Sequence, residues 1–63
     1  MSILQAKEMI RSRIEYKENQ IKTRKIQLDS GKFETIMDII EVEIKNLQKD
    51  IEFFKMIEKE LES

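Results

Sequence analysis

Four serines, a set of carboxylates near the C-terminus and a run of cations in the first half are the side chains that could do chemistry. Ser2, Ser12, Ser30 and Ser63 have no imidazole to activate them, because the chain has no histidine, and no cysteine offers a thiolate instead. Gly31 is the only glycine, so no glycine-rich loop can cradle a phosphate. Glu58, Glu60 and Glu62 carry the charge to hold a cation. At the end of a helix, however, acids oppose the dipole, and fraying is expected there rather than a site. With neither histidine nor cysteine, zinc and copper lose their usual ligands. The inventory points to no enzyme, no metal and no cofactor.

The cations are the more informative set. Arg11, Arg13, Lys17, Lys22 and Lys25, with Tyr16 among them, could meet phosphates while the ring stacks on a base. Against this stands the interleaving of Glu8, Glu15 and Glu18, and the placing of Glu18 before Lys22 at the favourable i, i+4 spacing. Residues 1–28 hold seven basic side chains against three acids, a balance of +4. Residues 33–63 hold four against nine, a balance of −5. Two halves of opposite sign can neutralise each other, and that reading outweighs an open basic surface.

The elements that position these groups are legible in the apolar spacing. Phe33, Met37, Ile40, Ile44, Leu47, Ile51 and Phe54 alternate steps of four and three, and after Glu58 the series ends at Leu61. That is the seam of a helix held against another helix. The first half has a matching series, Ile3, Lys7, Ile10, Ile14, Lys17, Ile21, Arg24 and Leu28, with three cations on it. Ser2 and Gln5 fit a capping box. With no proline, chain-breaking is left to Asp29-Ser30-Gly31-Lys32, where Gly31 can take the left-handed conformation and Asp29 or Ser30 can cap the next helix. One unbroken helix would need the seam to jump nine residues, from Leu28 to Met37. Two residues beyond a heptad swing the seam by roughly 200°. A hairpin absorbs the break.

The expected fold is therefore all-α. Residues 1–63 form one antiparallel, coiled-coil-like hairpin, with helix 1 at about 2–28, a turn at 29–32 and helix 2 at about 33–61. Folded at Gly31, it sets Leu28 against Phe33, Ile21 against Ile40, Ile14 against Leu47 and Ile10 against Ile51. Lys17 then falls near Ile44, and Arg24 near Met37.

Helix 2 has more apolar residues than one hairpin can cover. Ile36, Ile39, Val42, Phe53, Met56 and Ile57 lie off the seam. A chain of 63 residues without disulfide or metal usually needs a partner for stability. These six residues are the expected interface of a homo-oligomer, with a dimeric four-helix bundle favoured. A two-fold axis near Leu47 and Gln48 would match Ile39 with Met56 and Val42 with Phe53, although it would also bring Glu43 towards Asp50. No apolar run is long enough to span a bilayer and no signal-peptide pattern opens the chain, so a cytoplasmic protein is expected, without membrane contact.

In length and layout the chain resembles the Rop family of plasmid-encoded RNA-binding regulators, short helical hairpins that dimerise into four-helix bundles. No motif transfers residue by residue, and the seam here is rich in Ile and Phe. The resemblance implies nucleic-acid binding through the basic helix 1. The residues themselves favour a non-catalytic interaction or regulatory protein that self-associates through helix 2 and binds a partner protein.

Overall fold

Ser2 starts the first helix. In the computed structural model, which describes residues 2–62, its Oγ accepts the Gln5 N–H at 3.1 Å, and the Gln5 side chain accepts the Ser2 N–H at 2.9 Å. Both halves of the capping box are present, so two of the backbone donors stranded at a helix start are satisfied. Ser63, among the serines named above, lies outside the described residues.

Helix α1 runs Ile3–Ser30 and ends at Gly31, whose φ of 70° is left-handed. The Gly31 N–H closes onto the Leu28 carbonyl at 3.4 Å. Ser30 does not cap the following helix, and neither does Asp29. The Ser30 hydroxyl donates to the Gln27 carbonyl at 2.8 Å and accepts from the Lys32 N–H at 3.3 Å, so it ties off the end of α1. The chain then makes a single turn of 3-10 helix, η1 (Glu34–Ile36), before α2 (Met37–Glu62). Phe33, at the start of η1, makes no side-chain capping bond.

The two helices pack against each other as an antiparallel hairpin, a rod of 45 × 14 × 14 Å. At about 1.5 Å per residue, one helix of this length accounts for the long dimension. The core is a ladder of six buried isoleucines, Ile10, Ile14 and Ile21 from α1 and Ile40, Ile44 and Ile51 from α2. Leu28 and Phe33 pack on it near the turn, and Leu47, Phe54, Ile57 and Leu61 further along. No polar side chain is buried among the described residues.

The facing of the helices is the expected one, but their register is not. With six residues between the two α-helices, the turn is centred about three residues later than Asp29–Lys32. Lys17 reaches Asp50 rather than Ile44, and Arg24 reaches Glu43 rather than Met37. The slide also explains Ile3, which belongs to the seam by spacing yet is 63% exposed. In this register it projects beyond the last described turn of α2.

Candidate interaction surfaces

Three cations of α1 cross to carboxylates of α2. Lys17 Nζ donates to Asp50 Oδ2 at 3.1 Å and sits 6.0 Å from the centre of the Phe54 ring. Its stem lies on the apolar seam and its charge is carried to the rim. Arg24 Nε lies 2.7 Å from Glu43 Oε2, but its N–H is not directed along that line. The contact is therefore ionic rather than a hydrogen bond, and Arg24 Nη1 donates to Gln27 Oε1 at 3.4 Å. Arg11 Nε donates to Glu58 Oε2 at 3.1 Å, and Nη2 stands 3.7 Å from Glu62. The C-terminal carboxylates thus answer a cation of α1, and among the described residues no group of acidic side chains is arranged to hold a metal ion.

The ion pairs stand at spacings that match one register. From Lys17 to Arg24 is one heptad of α1, and from Asp50 back to Glu43 is one heptad of α2. An exposed pair stabilises by only about 0–1 kcal/mol. Two pairs at the same spacing nevertheless penalise a slide of one helix along the other.

The basic residues of α1 are divided between the two broad faces of the hairpin. Arg13, Tyr16 and Lys17 line one open groove with Met9 and Ser12. Arg11 and Lys22 line a groove on the opposite side, among Glu15, Glu18 and Glu58. Lys25 joins Lys22 in a further groove on that side, beside Glu18 and Gln48. At 100° per residue Arg13 and Lys22 point in opposite directions, so the six residues make no continuous positive surface. Arg13, Lys22 and Lys25 enter none of the ion pairs above.

The surplus apolar residues behave differently. Ile39 is 58% exposed, Val42 55%, Phe53 56% and Met56 58%, all on the side of α2 turned away from α1. Ile36 is exposed in η1. Ile57 is shared: it is half-buried and packs on the hairpin's own core, so only part of its surface is left for another molecule. Phe53 and Phe54 touch with ring centres 5.9 Å apart, which joins the outer stripe to the inner seam. On α1, Leu4 and Ile26 are exposed as well, residues to which the sequence pattern assigns no role. No helix is long and apolar enough to cross a membrane among the described residues.

The chain matches no protein-family model, no curated protein and no solved structure.

Proposed function

We propose that this chain is a non-catalytic interaction protein: a hairpin that self-associates through α2 into a dimeric four-helix bundle and offers its remaining surface to a partner protein. Ile36, Ile39, Val42, Phe53, Met56 and the outer part of Ile57 form the interface between copies. The observation that carries this reading is the exposed stripe of four large apolar side chains on α2. A hairpin with only six buried residues in its core has little reserve of stability, and covering that stripe supplies more.

The test is the mass in solution and the melting temperature over about a hundredfold dilution. A dimer of the 7.6 kDa chain, melting lower as it is diluted, is the expected result. A monomer mass with a concentration-independent melt would overturn it.

A second reading, RNA binding through α1, is supported by Tyr16, 66% exposed beside Arg13 in an open groove. It requires a mobility shift at low salt with single-stranded, duplex or hairpin RNA that fades steeply as salt rises, because each phosphate contact releases counterions. Replacing Arg13, Lys22 and Lys25 by Gln should abolish that shift with helicity unchanged. If no shift appears at low salt, this reading fails.

A further inference from the structure

The outer face of α2 is a second seam. Ile39, Val42, Asn46, Lys49, Phe53 and Met56 alternate steps of three and four, as the core series does, and every one of them is exposed. The two seams lie on nearly opposite sides of one helix, and only the inner one is occupied by α1. The geometry points to a second copy of this chain as the occupant of the outer seam, with the two α2 helices antiparallel about a two-fold axis between Leu47 and Gln48. This rests on the self-association proposed above and specifies its partner, direction and register.

Charge complementarity selects the antiparallel arrangement. In an antiparallel pair each flank of a seam faces the same flank of the partner helix. One flank of the outer seam carries Asp38, Lys45, Glu52 and Lys59 in heptad succession. About the stated axis, Asp38 meets Lys59 of the other copy and Lys45 meets Glu52, and the symmetry repeats both. All four contacts are attractive. Within the seam Ile39 meets Met56, Val42 meets Phe53 and Asn46 meets Lys49. A parallel pair would set Lys49 against Lys49 in the middle of the seam and Asp38 towards Glu43, leaving Lys45 towards Asp50 as its one attractive flank contact.

The other flank carries Ile36, Glu43, Asp50 and Ile57. Ile36 meets Ile57, but Glu43 approaches Asp50, a contact between like charges. Within the hairpin each carboxylate already has a cation beside it. Arg24 stands 2.7 Å from Glu43, and Lys17 3.1 Å from Asp50. Pairing two hairpins therefore sets Glu43 of one copy beside Asp50 of the other with a cation behind each carboxylate, Arg24 in the first and Lys17 in the second. The two cations of the α1 seam offset the like-charge approach on this flank of the dimer.

Charge reversal tests this directly, because Lys45 and Glu52 are exposed and lie outside the hairpin core. Lys45→Glu alone, or Glu52→Lys alone, sets like charges across the axis twice and should raise the dimer dissociation constant by about tenfold or more. Mixing the two single variants should restore association as a heterodimer, and so should the double variant Lys45→Glu/Glu52→Lys alone. Helicity measured by circular dichroism should stay unchanged in all of them. If the unaltered chain is a monomer at every concentration, both the self-association and this arrangement fall. If it dimerises but the mixture shows no recovery, self-association stands and this register and direction are overturned.

Discussion

Gly31 and Ile44 show how differently two single residues hold this chain. A Cβ placed on Gly31 would meet no atom within 4 Å, so space is not what requires glycine there. The requirement is φ of 70°. Gly31→Ala should therefore destabilise the hairpin by about 1–2 kcal/mol through the backbone alone, and Gly31→Asn by less, since Asn tolerates the left-handed region. Denaturant titration of the two variants measures the difference, and equal stabilities would contradict it. Ile44 is the opposite case: it sits 8% exposed in mid-ladder, far from either end of the core. Ile44→Asp buries an unpaired carboxylate at a cost of several kcal/mol, roughly the whole stability of such a small domain. Its helical circular dichroism should be lost, and a retained spectrum and melting point would show that α2 faces the other way. At this scale the sequence was largely legible, because local rules place a capping box and a left-handed glycine. Ile57 was less so. Period assigns a residue to one stripe, whereas Ile57 lies at the border of two and packs in part on the core.

At the scale of the helix, apolar period reveals which side of an element is covered but leaves its position along the partner undetermined. A slide of one heptad still sets apolar residues against apolar ones over most of the seam, Ile21 against Leu47 and Ile14 against Phe54 in place of Ile40 and Leu47. The length of the turn settles the position, and Glu34-Thr35-Ile36 carries no proline or glycine to mark it as anything but helix. With residues 33–36 in the turn, Lys17 falls beside Phe54 and Asp50 instead of Ile44, and Arg24 beside Glu43 instead of Met37. A double-mutant cycle on Arg24→Gln and Glu43→Gln should give a coupling of up to about 1 kcal/mol that shrinks with added salt. No coupling at low salt would restore the shorter turn. The outer stripe gives a companion experiment. Val42→Asp, on an exposed position, should abolish association and lower the melting temperature to that of the hairpin alone, whereas an unchanged mass and melt would place Val42 outside the interface.

For the whole molecule, an antiparallel pairing about Leu47 and Gln48 predicts shape as well as mass. The axis lies close to the middle of α2, so a second hairpin lies alongside the first and extends a 45 Å rod by only roughly 6 Å, at 1.5 Å per residue. Small-angle scattering should show a particle that thickens on association. One that doubles in length would exclude side-by-side packing. Because the chain reverses at Gly31, both ends of the hairpin emerge together at the far end of the rod. Tension applied there would open one layer at a time, like a zip, rather than shear the whole interface at once. The open end offers half-buried Ala6, Lys7 and Leu61 with Ile3 in solvent, while Ile40, the most deeply buried of the described residues, guards the closed end. In the antiparallel pair proposed above, the neighbour's closed end would lie beside this weak one, so each copy would splint the other where peeling would begin.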